Sequence, residues 1–158
     1  MTHRSLLRLA LLLALMLVLT ACGGRAPQGV SGHSKADNAV RAAYSQMGNH
    51  YVMGGASPRQ GFDCSGLVYW AYRSNGVAVP RLTRDQARAG KGVSRGNAKP
   101  GDIVVFRIGK NGRTLHTGLY AGGNSFIHSP RRGKSVRMDT LSQPYWNNRL
   151  VAVRRVAM

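Results

Sequence analysis

Cys64 stands in the run Gly61-Phe62-Asp63-Cys64-Ser65-Gly66, and His116 and His128 follow it at a distance. A thiolate attacks carbonyl carbon, one imidazole can take the thiol proton and return it to a leaving amine, and a second can fix the tautomer and orientation of the first. The three residue types therefore describe a thiol acyl-transfer centre. The 158-residue chain has one other cysteine, Cys22, which closes Leu19-Thr20-Ala21-Cys22 behind an apolar stretch where lipid attachment to the thiol is expected. That leaves Cys64 unpaired in an exported protein, and an odd thiol in an oxidising compartment points to chemistry.

Whether these groups can act together depends on the elements that carry them. Leu67, Val68, Ala71 and Tyr72 recur at helical spacing, Asn75-Gly76 stops the pattern, and the helix is predicted to start at Asp63 or Cys64. Cys64 thus falls in a first helical turn, where unpaired N–H groups and the positive end of the helix dipole favour a thiolate. Asp63 can cap the same turn, but its charge opposes the thiolate, so a neighbouring imidazolium is expected to complete the activation. His116-Thr117-Gly118-Leu119-Tyr120 and Ser125-Phe126-Ile127-His128-Ser129 read as consecutive strands. A three-residue Ala121-Gly122-Gly123 loop sets His116 opposite His128, whereas a two-residue Gly122-Gly123 loop pairs Thr117 with His128 and turns His116 to the other face. The catalytic reading predicts the longer loop.

The remaining elements complete an α+β domain. Lys35 to Met47 carries apolar residues at helical spacing, with Ser34 as N-cap and Gly48 past the end. An irregular connection through Tyr51-Val52-Met53-Gly54-Gly55 leads to the Cys64 helix, and a short helix is predicted over Arg84–Ala89. Ile103–Phe106, the two histidine strands, Ser135–Met138 and Leu150–Val156 are then expected to form an antiparallel sheet.

Tyr51-Val52-Met53-Gly54-Gly55, Gly61-Phe62-Asp63-Cys64-Ser65-Gly66-Leu67-Val68, Pro80-Arg81-Leu82-Thr83 with Gln86, Pro100-Gly101-Asp102 with its following strand, His116-Thr117-Gly118-Leu119-Tyr120 and Phe126-Ile127-His128-Ser129 occur in this order. The ordered set covers about residues 36–156 and resembles the NlpC-type cell-wall cysteine peptidases, which are papain-like. The resemblance implies a helix with the nucleophile at its N-terminus, packed on an antiparallel sheet, and a Cys64, His116, His128 triad. It implies hydrolysis of peptidoglycan stem peptides, most often between D-glutamate and diaminopimelate, with no cofactor and no metal. Tyr51, Asp63 and Ser65 fall on motif positions that line the family's site, so the resemblance makes them substrate-side residues. Met53 stands where the family often has an aromatic residue.

The N-terminus reads as an export leader. Arg4 and Arg8 precede the apolar run Leu9–Leu19, which is too short for a bilayer span of roughly 20 residues. The Leu-Thr-Ala-Cys run resembles the lipobox of bacterial lipoproteins, which implies cleavage before Cys22, acylation of its thiol, and a place in the bacterial cell envelope. Gly23 after the cysteine implies outer-membrane sorting, with the domain facing the periplasm. Residues 1–21 are then the leader, 22–34 a lipidated Gly/Ser/Pro-rich tether and 35–158 the peptidase domain, expected to be a monomer. The chain carries 23 Lys and Arg against five acids, and losing Arg4 and Arg8 with the leader lowers the formal charge from +18 to +16. Such a surface seeks polyanions. Export and the lack of a nucleic-acid-binding signature exclude nucleic acid, leaving wall carboxylates, anionic lipid or lipopolysaccharide phosphates.

Three other readings are open to the same residues. Cys64, His116 and His128, with Asp63, have the donor types of a Zn²⁺ site, but no Cys-x-x-Cys or His-Glu-x-x-His pair accompanies them. The same triad could serve an acyltransferase or amidase, because acyl-enzyme chemistry does not dictate the acceptor. A catalytically silent wall-binding lipoprotein would keep the fold alone.

Overall fold

The computed structural model describes residues 34–157; the expected leader, Cys22 and the tether before Ser34 lie outside the described residues. Helix α1 spans Lys35–Tyr44. Ser34 accepts the Asp37 N–H while Asp37 reaches back to the Ser34 N–H, a reciprocal capping box. The helix stops three residues before the predicted Met47. Gln46 and Met47 bond carbonyls three residues back and Gly48 at φ +84° ends the turn, so Tyr44 and Met47 are exposed while Ala39 and Ala43 are buried.

A two-stranded hairpin, β1 (Ala56–Ser57) with β2 (Gly61–Phe62), leads into α2 (Cys64–Arg73). Asp63 is its N-cap, and Leu67, Val68, Ala71 and Tyr72 are all buried, as the spacing predicts. Gly66, in the first turn, is pressed onto the preceding loop; a Cβ there would lie 2.0 Å from the Gly55 carbonyl oxygen. Helix α3 covers Thr83–Gln86, shorter than predicted, and α4 (Pro144–Asn147) begins with a proline that suits a first helical position.

The main sheet is antiparallel, with β3 (Lys91–Val93), β4 (Ile103–Ile108), β5 (Thr114–Gly122), β6 (Ser125–His128), β7 (Arg137–Thr140) and β8 (Leu150–Arg155) in the order β3-β8-β4-β5-β6-β7. Ile103, Val105, Leu119 and Ile127 pack with Ala39, Ala43, Leu67, Val68 and Ala71 of α1 and α2. The alternating residues Val104, Phe106, Tyr120 and Phe126 form a second core with Leu141, Trp146 and Val153. The domain is α+β, with each face of the sheet buried in its own apolar cluster.

The β5–β6 hairpin follows neither predicted loop. Gly122 pairs with Ser125 across a two-residue Gly123-Asn124 turn, and both turn residues have positive φ (+56° and +61°). That combination is a type I′ turn, the form whose twist suits a hairpin. On its own it would put His116 and His128 on opposite faces. A bulge between Tyr120 and Gly122 shifts the register to Tyr120↔Phe126 and Leu119↔Ile127 and restores both histidines to one face. Continued one step, this register sets Gly118, not His116, across from His128, so the two histidines are diagonal neighbours.

Gly118 has no room for a side chain: a Cβ would come within 2.8 Å of Phe126 Cδ2 and 2.9 Å of the Ile127 carbonyl oxygen. Because the second neighbour is backbone, Gly118→Ala is expected to lower stability by about 1–3 kcal/mol, the usual cost of overpacking. Gly96→Ala, where no atom lies within 4 Å, should change little. Urea unfolding of the two variants checks this, and equal midpoints would refute the steric account.

Candidate active site

The site is assembled from the start of α2 and the strands β5 and β6. Asp63 Oδ1 accepts the Gly66 N–H at 2.6 Å and the Ser65 hydroxyl at 3.2 Å, and Oδ2 accepts the Gly54 N–H at 2.9 Å. Arg81 grips both oxygens, at 2.9 and 2.7 Å, and extends to Ser65 Oγ at 3.0 Å and the Gly55 carbonyl at 3.2 Å. The counter-charge for Asp63 is therefore the Arg81 guanidinium, a partner that the sequence reading did not name. Gln86 supports the same turn from below, donating to the Ser65 and Pro80 carbonyls and accepting from the Thr117 hydroxyl.

Cys64 is half-buried, a free thiol with Thr83 Oγ1 3.6 Å from its Sγ. Among the described residues, the Cys64 and Ser65 backbone N–H groups make no hydrogen bond, as expected of the first donors of a helix. Ser129, the residue after His128, donates to the Phe62 carbonyl at 2.7 Å, which ties the approach to Cys64 to the histidine end of β6. Tyr51 is fixed through its N–H to the Lys134 carbonyl, and its hydroxyl has the Met53 sulfur at 3.6 Å as partner. Burial, then the nearby Cys64 and Asp63, push the Tyr51 phenol up, so it remains a donor. Met53 is 73% exposed beside it.

His116 and His128 meet. Nε2 of His116 lies 2.7 Å from Nδ1 of His128, and the rings stand edge to face at 86°. His128 Nε2 continues to Asp139 Oδ2 at 3.0 Å, which also accepts from Arg137 at 2.8 Å and the Trp146 indole at 3.0 Å. Trp146 lies over His116 with 26° between the ring planes. With 2% and 0% of their surfaces exposed, both histidines are held below the ordinary imidazole range, by burial first and for His116 also by His128. Burial would raise Asp139, but its hydrogen bonds to His128 and Arg137 win and hold it at about 2.

Of the residues singled out in the sequence, His116 and His128 are in direct contact, Cys64 and Tyr51 share the entrance, and Asp63 and Ser65 lie beneath it, buried and bonded to Arg81. Arg81 and Gln86 were visible only as members of a motif, and Asp139 and Trp146 carried no signal beyond the rarity of acids in this chain. Among the described residues no three His, Cys, Asp or Glu side chains converge on a metal position. A groove of about 1220 Å³ lies elsewhere, at the start of α1 beside Lys91, Lys99 and Arg155. It shares no residue with the Cys64 site.

An α+β domain in which a cysteine opens a helix and a histidine pair spans neighbouring antiparallel strands has the papain-like arrangement. Residues 48–155 match the NlpC/P60 family, and the chain belongs to that family. It is 40% identical over 121 residues to murein DD-endopeptidase MepH of Escherichia coli, covering 75% of this chain and 45% of that protein. It is likewise 40% identical over 121 residues to the gamma-D-glutamyl-L-lysine dipeptidyl-peptidase of Bacillus subtilis, covering 76% of this chain and 40% of the relative. The chain thus spans less than half the length of these two relatives. The crystal structure of an NlpC/P60 family protein from Bacillus cereus superposes with a TM-score of 0.72 at 31% identity, covering 78% of this chain and 40% of that one.

The buried histidines set a stability trend. Their folded-state values lie below the free value of about 6.5, so the unfolded chain binds protons first as pH falls, and stability declines from about pH 6.5 downward. Asp139 extends the loss as pH falls from about 3.9 toward 2. The urea midpoint should be lower at pH 5 than at pH 7, and replacing both histidines with Gln should flatten that difference. A midpoint that does not move between these pH values would contradict neutral burial.

Proposed function

We propose that the chain is a peptidoglycan hydrolase that cleaves stem peptides through a Cys64 acyl-enzyme. The observation that carries the reading is the buried 2.7 Å His116–His128 contact, placed at the end of the sheet to which the Cys64 turn is tied. With His116 Nε2 committed to His128, Nδ1 is the nitrogen available to the thiol. His116 takes the Sγ proton through Nδ1, the thiolate attacks the scissile carbonyl carbon, and the oxyanion meets the unengaged Cys64 and Ser65 N–H groups. His116 then protonates the leaving amine, leaving a thioester. A water, deprotonated by the same nitrogen, releases the acid and restores the thiol. Both histidines are held below the ordinary imidazole range, so His116 is available as a proton acceptor.

Tyr51 is the substrate-side donor, and its weak bond to Met53 is readily exchanged for a ligand oxygen. Asp63 and Ser65 serve the substrate indirectly, by fixing with Arg81 the turn that presents Cys64. The bond we assign is γ-D-glutamyl–diaminopimelate; the gamma-D-glutamyl-L-lysine dipeptidyl-peptidase of Bacillus subtilis supports its γ-D-glutamyl side. A second reading, cleavage of the DD-crosslink, is favoured by the name of the Escherichia coli relative at equal identity. Digesting purified murein and identifying the fragments separates the two. Transfer of the acyl group to an amine or lipid would instead support an acyltransferase, and binding without products a silent scaffold.

We further propose that Cys22 is acylated and holds the domain at the outer membrane facing the periplasm, which palmitate labelling lost in Cys22→Ala would support and retained labelling would exclude. The basic surface then supplies contact with acidic wall or anionic lipid. Arg131, Arg132 and Lys134 occupy an exposed turn closed by the Lys134 N–H on the Arg131 carbonyl, and make no side-chain hydrogen bond among the described residues.

Cys64→Ala and Cys64→Ser should abolish murein hydrolysis while leaving thermal unfolding near that of the parent. His116→Ala should cost on the order of 10²–10⁴-fold in kcat, the range of general acid–base catalysis, and more than His128→Asn, which can keep an orienting hydrogen bond. An active Cys64→Ala variant would sink the thiol mechanism. Between 0.01 and 0.15 M salt the Debye length shrinks from about 30 to about 8 Å. Sacculus binding should weaken strongly over that range and turnover of a small stem peptide should change little. Binding that ignores salt would remove charge from the account.

A further inference from the structure

Among the described residues Asp139 is the one carboxylate in contact with the histidine pair, and the direction of every proton in the pair can be traced back to it. An ionised carboxylate only accepts hydrogen bonds. Asp139 is held ionised, so His128 Nε2, 3.0 Å from Oδ2, must carry a hydrogen. A neutral His128 then has a bare Nδ1. That nitrogen can only accept, so the 2.7 Å contact is donated by His116 Nε2–H. A neutral His116 with its hydrogen on Nε2 has a bare Nδ1, the lone pair a thiol requires.

The sheet builds this relay by register. Gly118 stands across from His128, and His128 pairs with Arg137 while Phe126 pairs with Asp139, so His116, His128 and Asp139 step diagonally across β5, β6 and β7 on one face. The far end is anchored. Oδ2 of Asp139 also accepts from the Trp146 indole and from Arg137, while Trp146 lies against His116. A rotation of the carboxylate would leave the partly buried indole N–H without a partner.

We propose that Asp139 is a positioning residue of this site: acting through His128, it fixes both histidines as Nε2–H tautomers and thereby keeps His116 Nδ1 free to accept the Cys64 proton. The role rests on the thiol mechanism proposed above, but the tautomers exist whether or not the protein turns over. When His116 becomes an imidazolium its Nε2–H stays in place. Proton transfer ends at His116, and the carboxylate stabilises the new charge from beyond His128.

The test begins with Cys64→Ala protein carrying ¹⁵N-histidine. Two-bond ¹⁵N–¹H spectra near neutral pH should show Nε2–H on both His116 and His128, and Nδ1–H on either would overturn the proposal without reference to activity. With Cys64 restored, Asp139→Leu removes the acceptor, and Asp139→Asn can keep its amide oxygen toward the three donors. The Leu variant should lose the single tautomer and fall on the order of 10²-fold or more in kcat with KM little changed. The Asn variant should keep the tautomers and recover most of that loss. Unaltered kcat in a folded Leu variant, or an Asn variant as damaged as Leu with its tautomers intact, would refute the tautomer role. A parent protein that hydrolyses no murein yet shows both Nε2–H signals would refute the peptidase reading and leave the relay standing.

Discussion

A single carboxylate at the entrance to α2 holds together the turn that presents the thiol. Asp63 closes the first turn of the helix, holds the Gly54 N–H of the preceding loop and is gripped on both oxygens by Arg81, which reaches on to Ser65 and Gly55. Three chain segments converge on that group. An isolated charge so nearly buried would be costly, and the bidentate guanidinium with three further hydrogen bonds satisfies it. The pairing also settles an electrostatic conflict. A carboxylate beside a developing thiolate is unfavourable, and the arginine turns it into a near-neutral scaffold that leaves the helix dipole in force.

The five acids of this chain follow one pattern. Asp37 completes the cap of α1, Asp63 holds Arg81, Asp102 receives a two-pronged contact from Arg155 together with the Lys99 N–H, and Asp139 gathers His128, Arg137 and Trp146. Asp85, beside Arg84 at 3.4 Å, is the only one engaged solely in an exposed pair. Negative charge is thus used for architecture, and most of the surplus cations have no acid to meet. The basic exterior is what remains once Asp63, Asp102 and Asp139 are engaged inside and Asp37 and Asp85 are held near the surface.

Much of the site was legible from local pattern. The helix that starts at Cys64 could be read because its four buried residues keep a 3.6-residue rhythm and a capping acid precedes it, both properties of a short stretch of chain. The assignment of His116 and His128 to adjoining strands survived for the same reason. Their register did not, because a bulge has no spacing rule: a type I′ turn and one extra residue at Ala121 together achieve what a three-residue loop was expected to do. Arg81 and Asp139 were hidden differently. Arg81 meets Asp63 across 18 residues and Asp139 meets His128 across 11, and nothing in a linear pattern states which distant charge will satisfy a buried group. The early end of α1 is a smaller case, where apolar residues at the right spacing had no surface left to cover.

The bulge also bears on how this chain can vary. Exposed hairpin tips are ordinarily where sequences gain and lose residues at little cost, because nothing packed depends on their length. Here the bulge absorbs the odd residue between Tyr120 and Ser125, so that Tyr120 still pairs with Phe126 and His116 stays on the face of His128. Deleting Ala121 while the Gly123-Asn124 turn is kept would leave Gly122↔Ser125 and Tyr120↔Phe126 as successive pairs of a regular hairpin, with both imidazoles still on one face. Removing a second residue from the same strand would pair Tyr120 with Ser125 and turn His116 to the other face. The tip of this hairpin can therefore lose its bulged residue, but no more, without parting the histidines.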